Sequence, residues 1–335
     1  MRIAIVVNNT AALTPTWTTI HLIDAFLKAG HEIRLIEALE LDVTQSGQLR
    51  GRAWCLDPPS TGIKAITRML QRRSGRRELL AISTCDLLML RVNPLRNAIL
   101  TFALLTEEAG VPVINAPAGL ARTSSKAWLA TLTGVPRPAT LITRSRATAM
   151  NFVSELGKTV VVKPMAGSGG RGVQRIPHGR TDLLDRAIDH LYYGGHFVVQ
   201  EYLEEADAGE KRLVWADGEV LGAYVRQRAG GEFRHNLRQG SAPRQCEISS
   251  SDLALAASVG PHLIQNGIRI AGLDVIGRYI VEVNTLNPGG VHYAELLRST
   301  PGPRLADRIV EHLTLNTHRD NIHREGKLTN AKQDQ

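Results

Sequence analysis

The sequence predicts an α/β protein that opens with a parallel sheet and continues with antiparallel strands. The order strand, loop, helix, strand is visible in MRIAIVV and the following TWTTIHLIDAFLKAGHEIRLIEA, and it is typical of a parallel sheet covered by helices. An alternating pattern around Asp217-Gly218 in KRLVWADGEVLGAYVRQR predicts an antiparallel hairpin with a tight turn. With 335 residues, the chain is long enough for two or three domains with substantial cores.

The composition is that of a soluble globular protein, with 43% hydrophobic and 21% charged residues. No apolar run approaches the roughly 18 to 20 residues that a membrane-spanning helix needs. The N-terminal MRIAIVVNNT predicts a first strand rather than a secretory signal. Because Cys55, Cys85 and Cys246 are far apart and form no CxxC pair, we expect reduced thiols in a cytoplasmic protein, with neither disulfides nor a zinc site.

The net charge of +8 is compatible with nucleic acid or with small anionic substrates, because both attract arginine and lysine. Aromatic residues make up only 4% of the chain, which argues against stacking of single-stranded bases. The segment KAITRMLQRRSGRRELL contains Lys64, Arg68, Arg72, Arg73, Arg76 and Arg77. We interpret this segment as a solvated arginine-rich helix and loop rather than a nucleic-acid patch.

The first domain is predicted to span residues 1–120 and to be the parallel-sheet α/β unit. Its first helix has apolar residues at helical spacing, and Gly30 follows it as a C′ residue. The alternation continues with a buried strand in CDLLMLRVNP, a helix around Leu100 to Glu108 and a strand in VPVINAP.

The rest of the chain is predicted to form two further units and a tail. Residues 121–200 contain a helix in SSKAWLATLTG, a strand in ATLITR, a glycine-rich segment, a helix near Asp182 to Tyr192 and a strand in HFVVQEYL. Residues 201–315 carry the hairpins. Residues 316–335 form a polar tail that we expect to be frayed, because it has almost no apolar residue to anchor it.

The glycine-rich segment TVVVKPMAGSGGRGVQRI places Lys163 at the end of a β-branched run. Gly167, Gly169 and Gly172 satisfy G-x-G-x-x-G, but a dinucleotide fold would need a helix after them, and the following VQRIP is a β-type segment. A P-loop would need Gly-Lys-Ser or Gly-Lys-Thr after the loop, whereas the chain has Gly172 followed by Val173. A strand, a glycine turn and a second strand can instead fold over a nucleotide, with backbone amides and the lysine contacting phosphate oxygens. The alternative is a mobile hairpin without a ligand.

A second informative segment is AGLDVIGRYIVEVN, in which Asp274, Glu282 and Asn284 carry the hard oxygen ligands that magnesium prefers. Glu282 and Asn284 are two residues apart in a strand and therefore share a face. A three-residue turn, Gly277 to Tyr279, would pair Asp274 with Glu282. A two-residue turn would shift the pairing by one residue, unless a bulge corrects it. The alternative is an ordinary hairpin with outward polar residues.

These segments resemble the ATP-grasp fold, and more narrowly the bacterial glutathione synthetases. The similarity lies in VINAPAGLARTSSKAWLATLTG, ATLITR, VVKPMAGSGGRGV, YLEEADAGEKRLVWADGEV and GLDVIGRYIVEVN, which occur in the order of that family. GEFRHNLRQGSA is closer to related ligases that add glutamate to a protein C-terminus. The resemblance implies an N-terminal α/β parallel-sheet domain followed by two α+β subdomains that clamp ATP.

The resemblance also implies nucleotide contacts. Lys126 and Lys163 would hold the phosphates under a glycine-rich lid, Glu201 and Leu203 would border adenine, and Glu210 would bind the ribose. The full set implied for ATP is Lys126, Lys163, Gly167, Ser168, Gly169, Gly170, Glu201, Tyr202, Leu203 and Glu210.

The resemblance further implies a metal and catalytic set. Asp274, Glu282 and Asn284 would carry Mg²⁺, or Mn²⁺ in its place. Arg212 and Arg226 would lie where negative charge builds on the transferred phosphate and the acyl phosphate. The substrate and phosphate would be gripped by Arg234 and Asn236.

Some positions differ from the family pattern. LRVNPLRN keeps Arg91 but has Asn93 in place of an acid, and Ala166 replaces an acid in the glycine-rich loop. After the metal asparagine, TLNPGGVHYAELL introduces Gly289 and Gly290. These differences spare the ATP and metal set, but they leave the identity of the two substrates open.

The expected reaction is ATP-dependent joining of a carboxylate to an amine through an acyl phosphate, with γ-glutamylcysteine and glycine as the leading pair. The first alternative is a glutamate or small-peptide ligase of the same fold that acts on another amino acid, peptide or protein C-terminus. A second alternative is an RNA-binding protein whose nucleotide site is vestigial, which would bind less tightly as salt rises and release no ADP. We expect small-molecule partners and a homo-oligomer, with no nucleic acid and no membrane.

Overall fold

The computed structural model describes residues 1–165, 171–192, 195–228, 235 and 240–315, and of Tyr192 only the backbone. Three sheets follow one another along the chain, with helices packed on their faces. This mixed α/β architecture confirms the predicted fold class. The predicted tail lies outside the described residues, and the predicted domain boundaries stay a prediction.

The first sheet has six strands in the order β4-β3-β2-β1-β5-β6. Its strands are β1 Arg2–Val7, β2 Glu32–Val43, β3 Leu49–Leu56, β4 Arg77–Ala81, β5 Leu87–Arg91 and β6 Val113–Ile114. Its helices are α1 Thr18–Lys28, α2 Ile63–Arg72, α3 Asn97–Glu108 and α4 Pro117–Thr123. The strands β2, β1, β5 and β6 run parallel, as predicted, while β3 and β4 extend the sheet antiparallel.

The basic segment differs in part from its prediction. It forms a helix through Arg72, but Arg77 begins strand β4 rather than a loop. Arg77 and Arg73 lie over the Trp54 ring, at 4.7 and 5.8 Å from its centroid, and such cation–π contacts stabilise an arginine on an aromatic surface. Part of the basic stretch is therefore built into the edge of the first sheet.

The second sheet is antiparallel, with the strand order β7-β10-β8-β9. Its strands are β7 Thr140–Thr143, β8 Val160–Pro164, β9 Gln174–Ile176 and β10 Phe197–Glu201. Its helices are α5 Lys126–Thr131, α6 Arg146–Leu156 and α7 Thr181–Tyr192. The strands β8 and β9 flank the glycine-rich segment, as the sequence predicts.

The third sheet is also antiparallel, with the order β13-β12-β11-β14-β15. Its strands are β11 Glu210–Ala216, β12 Glu219–Gln227, β13 Ala242–Arg244, β14 Ile270–Ile276 and β15 Tyr279–Asn284. Its helices are α8 Ser250–Gln265, α9 Val291–Leu296 and α10 over 305–315. The predicted hairpin is β11–β12, and Asp217 and Gly218 at its turn have φ angles of 42° and 96°.

The first and third sheets share their cores, whereas the second sheet has its own. On one face, Ile5 and Phe26 belong to the same buried cluster as Val214 and Leu305. On the other face, buried side chains of both sheets again form one cluster. The core of the second sheet is built from its own strands and from α6 and α7. None of the described helices is long and apolar enough to cross a membrane.

Candidate active site

The hairpin β14–β15 carries the three predicted metal ligands. Its turn has two residues, since Ile276 pairs with Tyr279 and Val275 pairs with Ile280. The register then shifts, and Asp274 pairs with Glu282. A bulge has therefore corrected the one-residue shift that a two-residue turn imposes. This is the second of the two arrangements predicted from the sequence.

Strand register gathers the predicted charged residues on one face of the third sheet. Arg212 pairs with Asp274 across β11–β14 and with Tyr224 across β11–β12, while Glu210 pairs with Arg226. Residues that pair directly, or that are two apart in one strand, lie on the same face. That face carries Glu210, Arg212, Tyr224, Arg226, Asp274, Glu282 and Asn284.

Asp274 is the centre of this cluster and is 2% exposed. Its carboxylate accepts hydrogen bonds from Arg212 Nε at 2.5 Å and Nη2 at 3.0 Å. Arg226 Nη2 lies 2.5 Å from the same group, and Asn284 Nδ2 donates to it at 3.0 Å. Burial alone would raise the pKa of Asp274, but the two guanidinium groups hold it well below its usual range. Asp274 is therefore ionised at neutral pH.

Glu210 forms an ion pair with Arg226 at the edge of the cluster. Burial, together with the carboxylates of Asp274 and Glu282, raises the pKa of Glu210 to about 7, and Arg226 opposes this shift. The face itself thus carries three carboxylates, of Glu210, Asp274 and Glu282, and two guanidinium groups, of Arg212 and Arg226. A site of this kind suits additional positive charge, such as a divalent metal ion.

The two predicted phosphate-binding lysines come from different parts of the fold. Lys126 is the first residue of α5, and its Nζ lies 3.5 Å from Glu282 Oε1. Lys163 lies in β8, and its Nζ donates to Gln200 Oε1 at 2.6 Å. Burial lowers the pKa of Lys163 below its usual value, and the carboxylates of Glu282 and Glu210 oppose this shift only in part. The lysine from the second sheet thus faces the acidic cluster of the third.

Gln200 contacts the predicted phosphate-binding Lys163 and was not among the residues predicted from the sequence. It is 7% exposed, and its Nε2 donates to Thr140 Oγ1 at 3.0 Å while its Oε1 holds Lys163. The signal was present, since Gln200 is a polar side chain inside the apolar strand FVVQE. A buried amide in such a run usually has a specific partner.

The two residues predicted at the adenine lie at the end of β10, with Glu201 as its last residue and Leu203 beyond it, and Tyr202 of the predicted ATP set lies between them. Tyr202 and Leu203 are buried in a small apolar cluster with Val161 and Ile276, which lies between the second and third sheets. The Glu201 carboxylate pairs with Lys158 and accepts from the Ala139 amide at 3.3 Å. These contacts place the predicted adenine residues beside the apolar contact between the second and third sheets.

Several predicted site residues lie outside the described part of the chain. They are Gly167, Ser168, Gly169, Gly170, Arg234 and Asn236. His235, which lies between the last two, is buried, and its Nε2 is 2.7 Å from the Ala206 carbonyl oxygen. Burial lowers the pKa of His235, and this favours a neutral imidazole.

The loop after β15 is held by two arginines. Arg212 Nη1 donates to the Gly289 carbonyl at 2.9 Å, and Arg91 Nη2 donates to the Pro288 carbonyl at 2.9 Å. Gly290 has a φ angle of 122°, and a Cβ there would lie 3.1 Å from the Tyr224 ring and 3.2 Å from Arg212. Gly290 therefore allows the loop to pack against the charged face.

Arg91 lies at the end of β5 and is 4% exposed. Its Nε donates to Thr19 Oγ1 at 3.2 Å, and across the described ranges no carboxylate pairs with it. Burial lowers its pKa to about 9. A buried guanidinium held by neutral groups is suited to an anionic ligand.

The predicted metal ligands have the chemistry that a hard divalent cation requires. Asp274 and Glu282 face each other across the hairpin, and Asn284 shares their face. Among the described residues, no group of three or more His, Cys, Asp and Glu side chains is arranged to hold a metal ion. The hairpin itself supplies two carboxylates and an amide, a set that fits Mg²⁺, because that ion usually takes one or two carboxylates together with water and substrate phosphates.

Known protein families match the chain along most of its length. A model of the N-terminal domain of prokaryotic glutathione synthetase matches residues 1–121, and a model of the ATP-grasp domain of that enzyme matches residues 126–298. The glutathione synthetase of Synechococcus elongatus is 30% identical over 311 residues, covering 89% of this chain and 94% of the relative. That of Thermosynechococcus vestitus is 29% identical, covering 90% of this chain and 96% of the relative.

Solved structures show the same fold at low sequence identity. D-cycloserine synthetase DcsG superposes with a TM-score of 0.67 at 17% identity, covering 94% of this chain and 99% of that one. The D-alanine–D-alanine ligase of Coxiella burnetii has a TM-score of 0.62 at 11% identity, with complete coverage of both chains. The ATP-grasp fold is confirmed, and the chain belongs to the prokaryotic glutathione synthetase family, whose members are ADP-forming carbon–nitrogen ligases of the ATP-grasp type.

Proposed function

We propose that the protein joins the cysteinyl carboxylate of γ-glutamylcysteine to the amino group of glycine, with ATP and Mg²⁺. The observation that carries this proposal is the charged face of the third sheet, where Asp274 lies between Arg212 and Arg226 and opposite Glu282. The substrate pair is supported by the relatives named glutathione synthetase, which match about nine-tenths of the chain.

The carboxylate must first be activated, because it is a poor acylating agent. Its oxygen attacks the γ-phosphorus of ATP, and ADP leaves with the electrons of the broken bond. We assign Lys126 and Lys163 to the phosphates, since Lys126 Nζ lies 3.5 Å from Glu282 and the charge of Lys163 interacts with Glu282 and Glu210. Bound Mg²⁺, held by Asp274, Glu282 and Asn284, would neutralise charge on the phosphates.

The amine then attacks the carbonyl carbon of the acyl phosphate, phosphate leaves, and the amine loses a proton. We assign Arg212 and Arg226 to the negative charge that develops on the oxygen during this step. Both guanidinium groups are buried on the charged face. Preorganised donors of this kind contribute more in a site from which water is excluded.

We assign Arg91 to a second carboxylate of the substrate, away from the reacting one. Its contact with Pro288 and the contact of Arg212 with Gly289 place the two arginines at neighbouring carbonyl groups of one loop. A substrate with carboxylates at both ends can therefore span from the first sheet to the charged face. γ-Glutamylcysteine has this property.

The second candidate is a ligase of the same chemistry with another acceptor or donor. The region around the loop that follows Asn284 favours it, because the Tyr224 ring lies against Gly290 of this loop and packs on a ring of the next helix. The His21 and His292 ring centroids are 5.3 Å apart, and those of Tyr224 and Tyr293 are 5.6 Å apart. Such rings suit a substrate that carries an apolar or aromatic group.

The deciding experiment measures ADP release with Mg²⁺ and ATP. It compares γ-glutamylcysteine plus glycine with a panel of amino acids and dipeptides, and products are identified by mass spectrometry. Glutathione as the dominant product supports the first candidate. ADP release only with other pairs supports the second. The cytoplasmic location and the homo-oligomeric state stay predictions.

A further inference from the structure

Asn115 lies directly after β6 and is 5% exposed. Its side chain makes four hydrogen bonds. Nδ2 donates to the carbonyl groups of Ile270 at 2.8 Å and Thr285 at 2.9 Å. Oδ1 accepts from the amides of Arg269 at 2.8 Å and Ile270 at 2.9 Å. Both the donor and the acceptor of this amide group therefore bind backbone groups more than 150 residues away in the sequence.

These partners lie at the open end of the metal hairpin. Ile270 begins β14, and Thr285 directly follows Asn284 at the end of β15. The last residues that pair within the hairpin are Gly272 and Asn284. Beyond that pair, Asn115 bridges the two strands in place of a ladder hydrogen bond.

Thr285 is fixed by a second residue of the same segment. It is 2% exposed, and its Oγ1 accepts from Thr123 Oγ1 at 2.9 Å. Asn115 lies just before helix α4 and Thr123 is the last residue of that helix, so the same short segment supplies both donors to Thr285. The segment of Asn115 and Thr123 therefore fixes the backbone position of Thr285, the residue that follows β15.

Asp274 is held firmly by Arg212 and Arg226, but the two predicted ligands on β15 have few restraints of their own. Asn284 Nδ2 contacts Asp274 at 3.0 Å and the Gly272 carbonyl at 3.5 Å. Glu282 is 42% exposed at its side chain, and its ion pair with Lys126 is 3.5 Å long. Because these side chains are held loosely, their positions depend on the backbone that carries them.

We propose that Asn115 is a positioning residue for the metal site, and the proposal rests on the proposed function. By fixing Thr285, Asn115 sets the direction of β15 and with it Asn284 and Glu282. Loss of the two Nδ2 donors leaves the carbonyl groups of Ile270 and Thr285 without these partners and frees the open end of the hairpin. The metal ligands then no longer converge.

The test is direct binding of Mn²⁺ in the presence of ADP, followed by electron paramagnetic resonance, which needs neither substrate. In Asn115→Asp, the acceptor is kept and both donors are lost, and we expect Mn²⁺ affinity to fall by about tenfold. Thr123→Val removes one of the two contacts to Thr285, and we expect about a threefold loss from this smaller change. In kinetic assays, the Mg²⁺ concentration at half-maximal ADP release should rise by the same factors.

The matched control is Asp24→Asn. Asp24 is 1% exposed and holds Ser60, Lys28 and Arg304, none of which belongs to the hairpin. This variant should melt earlier but bind Mn²⁺ as the wild type does. Wild-type Mn²⁺ affinity in both Asn115→Asp and Thr123→Val would overturn the proposal. Weakened Mn²⁺ binding in a protein that makes no glutathione would support the positioning role and reject only the substrate assignment.

Discussion

Arg212 binds Asp274 through two parallel hydrogen bonds, across a position where strands β11 and β14 pair these residues directly. Both side chains are buried, at 8% and 3% exposure. Removing one partner of a buried ion pair typically costs about 3 to 5 kcal/mol, because the other charge remains buried. A substitution at Asp274 would therefore reduce stability and activity together, and the two effects could not be separated. Glu282 is the better residue for testing the metal site.

Glu282→Gln should abolish most activity while leaving the fold intact. The side chain is 42% exposed and its ion pair with Lys126 is long, so we expect a stability change below about 1 kcal/mol. The loss of a metal carboxylate should lower kcat by at least about 100-fold, because metal charge stabilisation contributes several kcal/mol. ADP release and thermal melting measure the two effects. Glu219→Gln, at a side chain that is 50% exposed, is the control. Near-normal turnover in Glu282→Gln would contradict the metal assignment.

Arg91→Met should weaken binding of the carboxylate donor. Methionine keeps much of the volume and removes the buried charge, and a charged hydrogen bond contributes about 1.5 to 3 kcal/mol. We therefore expect KM for the donor to rise about 10- to 100-fold, with KM for ATP unchanged. Steady-state kinetics with each substrate varied in turn measures this. Arg50→Met, in a pair with Asp42 on the surface, is the control. An equal rise in both KM values would point to a general loss of structure.

The two neighbouring glycines of the loop should respond differently to alanine. Gly290 has a φ angle of 122°, and a Cβ there would meet Tyr224 and Arg212, whereas a Cβ at Gly289 would meet nothing within 4 Å. Gly290→Ala should cost about 1 to 3 kcal/mol in strain and should reduce kcat, because the Arg212 contact shifts. Gly289→Ala should be close to the wild type. Thermal melting and ADP release are measured on both variants. Wild-type melting and activity in Gly290→Ala as well as in Gly289→Ala would show that the loop tolerates a side chain at either position.

Asp24 should make stability depend on pH. Burial by itself would raise the pKa of Asp24. Hydrogen bonds from Ser60, Arg304 and Lys28 have the larger combined effect in the opposite direction, so the pKa lies below 3.8. A carboxylate whose pKa is depressed on folding contributes stability above its unfolded pKa, and this contribution is lost as the pH falls through the folded value. The free energy of unfolding should exceed that of Asp24→Asn by about 3 kcal/mol at pH 7. The difference should shrink below about pH 4. Urea unfolding of both proteins at several pH values measures it, and a difference that is constant with pH would contradict the ionised assignment.

Local patterns in the sequence were sufficient for much of the fold. The strand–helix alternation predicted the parallel part of the first sheet, because apolar periodicity depends only on neighbouring residues. Strands β3 and β4 were missed, since their antiparallel pairing follows from contacts that no local pattern reveals. For the same reason Arg77, predicted in a solvated loop, lies in a strand against Trp54.

The sequence by itself determined the set of charged residues and the family to which their spacing belongs. Only the tertiary structure decided how those residues meet. The bulge that brings Asp274 opposite Glu282, the hold of Gln200 on Lys163 and the bridge that Asn115 makes to Thr285 all join residues from distant strands. The physical reason is that register and hydrogen-bond partners across strands are set by the packed sheet as a whole, whereas residue type and spacing are set along the chain.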